Sequence, residues 1–312
     1  MLAIGGTGFI GVAACRELMR RGHETVAASR SPHPYGTFTS HQVFDRTDES
    51  QLQEVLERVR PEVVVDLACY GPAEVEAVVR RFRGDRYVFV STVVYPDLHG
   101  RLAREQDFVP PEGPIPRGTL SYLEGKRWCE TVLARSPGFP WVTVRPPAVL
   151  GAQDPTLRIA AYFQRVEDGG PVLVPAETFE RGLALAWAKD VGYALALAAD
   201  PARGPAGTAY NVAFEGVTLE RLISGVARLL GRQVVAAPVP FARLPRGASP
   251  YGPDPARHAG LAVDHARAEL GFSPSTLEEA LAETAAWYRV ARPGHPGYAG
   301  RAAELSLARS LA

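Results

Sequence analysis

Hydrophobic runs and helical patterns alternate along the first half of the chain. Six short β-rich runs are separated by segments in which apolar residues recur every three or four positions, as in Ile10/Ala13/Ala14/Leu18. This alternation predicts parallel strands joined by crossover helices, each burying one apolar stripe against the sheet. We therefore expect a doubly wound α/β domain over residues 1–151. Its predicted strands are residues 2–4, 24–28, 42–44, 63–67, 87–91 and 141–145.

The pattern changes after Gly151. A helix near residues 159–166, short strands near 172–174 and 183–187, and helices from Asp190 and Thr218 predict a smaller mixed α/β lobe. We assign residues 152–292 mainly to this substrate lobe, a division that allows some segments to return to the first domain. Pro and Gly in residues 238–255 predict a long loop, and residues 277–290 predict a closing helix. Residues 293–312 are expected to form a loosely attached tail.

The first predicted strand is unusually short. Only Met1 to Ile4 precede the first glycine, whereas strands of about five to six residues are usual. We therefore expect the natural start to lie a few residues upstream of Met1.

Composition favours a small-molecule partner. Lys plus Arg and Asp plus Glu are 34 each, so no net charge attracts nucleic acid or anionic membrane. No apolar stretch of about 18 residues predicts a membrane span. The three cysteines lie in apolar segments without paired spacing, which indicates buried thiols in a reducing cytoplasm. The seven histidines are dispersed, so we expect no metal site.

A glycine-rich turn follows the first strand. The segment GGTGFIG places glycines at positions 5, 8 and 11 before an amphipathic helix. The first glycine permits a tight turn, the second allows backbone to approach a pyrophosphate, and the third allows close helix packing. An ordinary strand-to-helix turn is the alternative. The predicted nucleotide contacts here are Gly5, Thr7, Gly8, Phe9, Ile10 and Gly11.

The end of the second strand carries no acid. A carboxylate there binds the ribose 2′-OH of NAD, whereas Ser29 and Arg30 offer donors to a 2′-phosphate. We therefore expect NADP(H) to be favoured over NAD(H), the alternative being that Arg30 is a solvated loop residue. After the third strand, Asp45 is placed to accept from the adenine amino group or to form a simple turn. Arg46 beside it is also assigned to the cofactor site.

Tyr122 and Lys126 lie four residues apart in YLEGK and therefore share one face of a helix. A free phenol is a poor base at neutral pH, and an adjacent ammonium stabilises its phenolate form. The lysine can also hydrogen-bond the ribose of a nicotinamide nucleotide. With 11 tyrosines and two lysines in the chain, chance predicts about 0.07 such pairs. We interpret the pair as catalytic and cofactor-binding, the alternative being a surface helix that carries both by accident.

Two hydroxyls end the fifth strand. Ser91 and Thr92 lie at the carboxyl edge of the predicted sheet, where ligands of such folds bind. Either can orient a substrate carbonyl or alcohol beside Tyr122, and either can merely cap the following turn.

Taken together, GGTGFIG, VSTVVYP, YLEGK and RPPAVLG resemble the extended short-chain dehydrogenase/reductases, in their NAD-dependent epimerase/dehydratase branch. The resemblance implies a Rossmann fold and a Ser/Thr-Tyr-Lys catalytic set, and its spacing back from Tyr95 selects Ser91 over Thr92. It also implies a homodimer formed through helices like the one that carries Tyr122. The residues it places beside the cofactor after the fourth and sixth strands are Leu67, Ala68, Cys69, Pro146 and Val149.

Departures from the family pattern narrow the reaction. Sugar dehydratases of the family follow the catalytic hydroxyl with Asp-Glu, which here is Thr92-Val93. Nucleotide-sugar enzymes commonly place an asparagine after the sixth strand, but the chain's only asparagine is Asn211. Arg158, Arg165 and Arg181 are candidate anion contacts, although solvated faces are the favoured interpretation for each.

These observations favour an NAD(P)-dependent oxidoreductase that transfers a hydride between nicotinamide and a carbonyl or alcohol carbon. Its expected substrate is a small polar molecule, either a sugar derivative or a secondary metabolite. Two alternatives stay open. One is an epimerase of nucleotide sugars that retains its cofactor, and the other is a non-catalytic NADP-binding regulatory or RNA-associated protein.

Overall fold

A computed structural model describes residues 1–33, 36–179, 181–250 and 259–311 of the chain. Within these residues the strands are β1 (Leu2–Ile4), β2 (Val26–Ser29), β3 (Ser40–Val43), β4 (Val63–Asp66), β5 (Arg86–Val90), β6 (Trp141–Arg145), β7 (Ala148–Leu150), β8 (Val172–Pro175), β9 (Leu185–Trp187), β10 (Thr208–Asn211) and β11 (Ala236–Val239). The α-helices of the same part are α1 (Phe9–Arg20), α2 (Glu49–Val59), α3 (Pro72–Arg81), α4 (Tyr122–Ala134), α5 (Arg158–Glu167), α6 (Ala188–Ala198), α7 (Leu219–Leu230), α8 (Asp264–Leu270), α9 (Leu277–Ala291) and α10 (Arg301–Leu311).

In the described chain, seven parallel strands form one sheet in the order β10-β6-β5-β4-β1-β2-β3. From β1 the chain adds β2 and β3 towards one edge of the sheet, and from β4 it adds β5, β6 and β10 towards the other edge. This is the doubly wound arrangement that the alternation predicts. The six predicted strands of the first domain are confirmed, with ends within two residues of those expected. Their carboxyl ends form one edge, and this edge positions the candidate site.

Apolar stripes cover both faces of the sheet. The helices α1 and α6 pack on one face, whereas α2, α3 and α4 pack on the other. A Cβ on Gly192 of α6 would lie 2.6 Å from the backbone carbon of Ala13 in α1, so these two helices approach closely. The interior strand β4 has the sequence VVVD and is buried throughout, as strands covered on both faces are.

A second core lies in the smaller lobe. It is built mainly from α5, α7, α9 and the two-stranded pairs β7/β9 and β8/β11. The chain between Ala188 and Asn211 leaves this lobe, because α6 and β10 pack in the first domain. The strands β7 and β11 and the helix α8 were not predicted. The predicted loop at 238–255 is wrong at its start, since β11 extends to Val239, and residues 251–255 lie outside the described part.

The prediction of a loose tail from residue 293 is wrong for the described residues. Helix α10 docks on the smaller lobe through buried charges, with Glu304 paired to Arg165 at 2.6 Å and Arg301 paired to Asp168 at 2.7 Å. Hydrophobic periodicity misses this contact because ion pairs between distant positions anchor the helix.

None of the helices in the described ranges is both long and apolar enough to cross a membrane.

Candidate functional site

One elongated cavity of about 890 Å³ follows the carboxyl edge of the sheet. It brings together, from separate parts of the chain, nearly all residues that the sequence assigned to a site. Those lining it are Gly5, Thr7, Gly8, Phe9, Ile10, Gly11, Ser29, Arg30, Asp45, Arg46, Leu67, Ala68, Ser91, Thr92, Tyr122, Lys126, Pro146 and Val149. Cys69 is the exception, because its side chain is fully buried with its Sγ 3.8 Å from that of Cys129. The backbone carbonyl of Cys69 accepts a hydrogen bond from Lys126.

The glycine loop has the geometry of a phosphate cradle. Gly5 has a φ of +80°, a left-handed conformation that favours glycine. A Cβ on Gly11 would lie 2.2 Å from the carbonyl oxygen of Gly5, so α1 begins this close to the loop only with glycine at that position. Gly8 is the N-cap of α1 and has no side chain to satisfy the first N–H groups. These donors and the positive end of the helix dipole fit a pyrophosphate.

The adenosine end of the cavity carries Ser29, Arg30 and Asp45. The Ser29 hydroxyl donates to the carbonyl of Ser31 at 3.0 Å and lies 2.8 Å from Nε2 of His41. Arg30 is exposed at the cavity wall. The Asp45 carboxylate accepts from the hydroxyl and backbone N–H of Thr47, and these bonds hold the pKa of Asp45 below its ordinary value. Asp45 therefore forms a turn and lines the cavity at the same time.

Arg46 is occupied by other protein groups. Its guanidinium lies 2.5 Å from Asp66 and donates to the carbonyl of Glu74. The Tyr87 hydroxyl donates to the same Asp66 carboxylate, whose other oxygen accepts from the backbone N–H of Ala68. Arg46 thus supports the floor of the cavity through Asp66.

Helix α4 presents Tyr122 and Lys126 at the centre of the cavity. The helix begins with a capping box between Ser121 and Glu124, which fixes the position of Tyr122 in its first turn. Lys126 is 2% exposed and donates to the carbonyl oxygens of Cys69 at 2.7 Å and Val90 at 2.6 Å. Its Nζ lies 5.8 Å from the ring centroid of Tyr122. An ammonium has three donors, so these two bonds leave one donor of Lys126 for a ligand.

Ser91 and Thr92 differ in their environment. The Ser91 hydroxyl is buried and donates to Glu130 at 2.5 Å, whereas Thr92 is half-buried. Glu130 also forms a buried bidentate pair with Arg145. Burial opposes the Arg145 cation, but the Glu130 charge more than compensates, so the pKa of Arg145 lies above its ordinary value.

This polar network continues to the last strand of the sheet. Arg145 donates to the Tyr95 hydroxyl, which in turn donates to the side-chain oxygen of Asn211. The chain's only asparagine therefore supports the polypeptide beneath the cavity rather than lining it.

Sequence reasoning missed several residues of the cavity wall. Tyr70 lies in the segment after the fourth strand and Glu74 in the first turn of the helix that follows, so their place after a strand end was a usable signal. Five others lie on or just after strands of the first sheet, beside residues that the sequence did assign to the site. The remaining three depend on how the chain after the sixth strand folds over the sheet, which no local pattern reveals. The missed wall residues are Ile4, Ala28, Phe44, Thr47, Tyr70, Glu74, Val90, Pro147, Pro155 and Thr156.

The three candidate anion contacts have different surroundings. Arg165 is fully buried and paired with Glu304, so both its assignment to an anion and its placement on a solvated face are wrong. Arg158 donates to the Thr156 hydroxyl at the cavity wall. Arg181 is exposed and is not among the residues that line the cavity.

The chain belongs to the NAD dependent epimerase/dehydratase family, whose model matches residues 1–213. The resemblance drawn from its motifs is thereby confirmed. Members of this family depend on a nicotinamide nucleotide, and the glycine cradle described above fits one.

Two curated relatives match parts of the chain. A chloroplast stem-loop binding protein of 41 kDa from Arabidopsis thaliana is 27% identical over 192 residues, which is 56% of this chain and 48% of that protein. The 2′-dehydrokanamycin reductase of Streptomyces kanamyceticus is 32% identical over 96 residues, which is 30% of this chain and 27% of that protein. The matches thus span less than half of the length of either relative.

A solved structure resembles the chain over nearly its full length. The UDP-glucose 4-epimerase of Thermus thermophilus, in complex with NAD, is 23% identical with a TM-score of 0.68. The likeness covers 92% of this chain and 98% of that one. It confirms the predicted Rossmann-type fold.

Proposed function

We propose that this protein is an NADP-linked oxidoreductase that acts on a carbonyl or alcohol carbon of a small polar substrate. The observation that carries the proposal is the position of Tyr122 and Lys126 on the same cavity as the glycine cradle. The family membership supports an enzyme, and the 2′-dehydrokanamycin reductase supports a net reduction of a sugar derivative.

The proposed chemistry divides the work between the nucleotide and the chain. When bound, a nicotinamide exchanges a hydride with the substrate carbon. Tyr122 donates a proton to the oxygen of that carbon in the reducing direction, so that a carbonyl becomes an alcohol, and it accepts the proton in reverse. Lys126 stabilises the resulting phenolate and offers its remaining donor to the ribose of the nucleotide. A hydroxyl of Ser91 or Thr92 orients the substrate oxygen.

The preference for NADP over NAD is part of the proposal. Arg30 and Ser29 line the adenosine end, and Arg30 is exposed with a guanidinium suited to a 2′-phosphate. We also propose a cytoplasmic location, because the three cysteines are free and buried, and a homodimer of the kind that the family resemblance implies.

An epimerase that retains its cofactor is the second candidate, favoured by the likeness to UDP-glucose 4-epimerase. Nicotinamide that copurifies and does not exchange would support it, whereas stoichiometric consumption of NADPH supports the reductase. The stem-loop binding relative raises an RNA-associated role. The balanced charge and the presence of the Ser-Tyr-Lys set argue against that role.

The test is the Tyr122→Phe variant. Removing the phenolic oxygen removes the proposed proton donor, so we expect turnover to fall by about 10²- to 10⁴-fold. Affinity for NADPH should stay within about twofold of wild type, because the cradle is unchanged. Steady-state kinetics over a panel of carbonyl compounds and fluorescence titration with NADPH measure the two effects.

Two results would contradict the proposal. Unchanged turnover in Tyr122→Phe removes Tyr122 from the mechanism. Tighter binding of NADH than of NADPH in the same titration refutes the cofactor preference but leaves the chemistry in place.

A further inference from the structure

Tyr70 places an exposed aromatic ring in the candidate site. It lies just after β4, lines the same cavity as Tyr122, and is 54% exposed. The rings of Tyr70 and Tyr122 are 6.2 Å apart between centroids and inclined at 48°. An aromatic ring exposed inside a cleft offers a flat apolar face to a ligand.

The position of Tyr70 is fixed by its backbone and by Lys126. Its N–H donates to Glu74 at 2.9 Å, and its carbonyl oxygen lies where a Cβ on Gly125 would come within 2.1 Å. The buried ammonium of Lys126 lies 4.9 Å from the ring centroid. These contacts hold the ring in place before any ligand binds, which lowers the entropic cost of stacking on it.

The hydroxyl of Tyr70 is a neutral donor. Burial, followed by the neighbouring Tyr122 and the carboxylates of Asp66 and Glu74, raises the pKa of Tyr70. The phenol therefore stays protonated at neutral pH and is suited to packing and hydrogen bonding.

Several polar groups of the second lobe near this end of the cavity are already bonded within the protein. At the start of α5, the Asp154 carboxylate accepts from the backbone N–H groups of Thr156 and Arg158, so these two donors are occupied. Arg165, further along α5, is unavailable to a ligand because it forms a buried ion pair with Glu304. The nearby wall consists of Pro147 and Pro155, which have no backbone N–H to donate.

We propose that Tyr70 is a specificity-determining residue that stacks on the apolar face of a pyranoside ring in the substrate. A pyranoside presents axial C–H groups to an aromatic ring and hydroxyls to the rim, which matches a phenol ring near Tyr122 in a cavity that Thr92 also lines. The inference rests on the proposed function, because it concerns the substrate end of that same site.

The test separates ring binding from turnover. Saturation-transfer NMR is recorded on the full chain loaded with NADP⁺, using methyl β-D-glucopyranoside as the ring probe and D-sorbitol as the open-chain control. The saturation transferred to the protons of the pyranoside ring should be equal for wild type and Tyr70→Phe, because both proteins keep the aromatic face. Tyr70→Ala should weaken pyranoside binding about five- to tenfold, the effect typical of an aromatic contact, and leave the sorbitol signal unchanged.

The Tyr122→Phe variant makes the two proposals distinguishable. Its loss of turnover with intact pyranoside binding supports both proposals. Pyranoside binding that depends on Tyr70 in a protein without hydride-transfer activity refutes the proposed function alone. No transfer to the pyranoside in wild type, or equal transfer in wild type and Tyr70→Ala, overturns the inference about Tyr70.

Discussion

The proton of the Ser91 hydroxyl distinguishes the two candidate hydroxyls. Because Ser91 donates to the buried Glu130 carboxylate, its oxygen can only accept from a further partner. Polarising a substrate carbonyl requires a donor, and Thr92 lines the same cavity next to it. We therefore propose that Thr92 donates to the substrate oxygen, whereas Ser91 connects the end of β5 to Glu130 and Arg145.

Paired substitutions test this division. Thr92→Val removes the donor with little change in volume and should lower kcat/KM by about tenfold to a hundredfold, with little effect on the melting temperature. Ser91→Ala should instead lower the free energy of unfolding by about 1.5–3 kcal/mol, the usual contribution of a hydrogen bond to a charged group. Carbonyl-reduction kinetics and thermal unfolding measure the two effects.

The reverse pattern would restore Ser91 as the substrate-positioning hydroxyl. A large loss of kcat in Ser91→Ala with unchanged stability, beside an unaffected Thr92→Val, would contradict the proposed division.

Single residues were predictable from the sequence where their partners are local. Tyr122 and Lys126 are one helical turn apart, so spacing alone places them on one face of α4. The hydrogen bond from Ser91 was not predictable, because Glu130 lies 39 positions away and reaches Ser91 only when α4 packs on the sheet. The bond between Arg46 and Asp66 was not predictable for the same reason, since Asp66 lies 20 positions from Arg46.

Helix α4 and the segment after β4 form one unit of the candidate site. Gly125, between Tyr122 and Lys126, lets the helix approach the carbonyl oxygen of Tyr70. Any side chain there would push the two elements apart and displace Tyr70. The close contact therefore couples the position of the acid/base pair to the proposed stacking surface.

Two opposing effects determine the stability of the Gly125→Ala variant. Helix propensity alone favours alanine by about 1 kcal/mol. A Cβ placed 2.1 Å from a backbone oxygen forces the backbone to shift, which costs about 1–3 kcal/mol or more. We expect the steric clash to outweigh the gain in helix propensity. The variant should therefore have a lower melting temperature and bind the pyranoside more weakly. Thermal unfolding measures the change in stability. Gly118→Ala, in the loop before α4, is the control for an added Cβ that meets nothing within 4 Å. A stabilised Gly125→Ala variant would show that propensity prevails.

Regular elements were predictable where their apolar pattern is long enough. The helices of the first domain bury one face each, and their periodicity was evident over ten or more residues. Strand β7 comes directly after Pro146-Pro147, a pair typical of turns and loops. Strand β11 also contains Pro238, which is typical of loops and sheet edges.

Docking of α10 joins parts of the second lobe that are far apart in the sequence. Arg165 is completely buried and Glu304 is 1% exposed, so neither charge is hydrated and each requires the other. Arg301 adds a half-buried link to Asp168, next to the end of α5. A charged helix of this kind looks like a solvated tail in sequence. Its stability depends on a tertiary partner more than 130 positions away.

Acid should weaken the docking of α10. Burial opposes the Asp168 carboxylate, but bonds from Arg301, the Gly170 N–H and the Tyr298 hydroxyl prevail and hold the pKa of Asp168 below its ordinary value of 3.8. A carboxyl group whose pKa is lowered in the folded state stabilises that state at pH values above its unfolded-state pKa. This stabilisation is lost as the pH falls through the folded-state pKa. The melting temperature of wild type should therefore exceed that of Asp168→Asn by a constant margin near neutral pH. This difference in melting temperature should shrink below about pH 4. Thermal unfolding from about pH 7 to pH 3 measures the margin, and hydrogen exchange of residues 301–311 locates the loosening. A margin that stays constant or grows on acidification would show that the charge of Asp168 does not hold α10 in place.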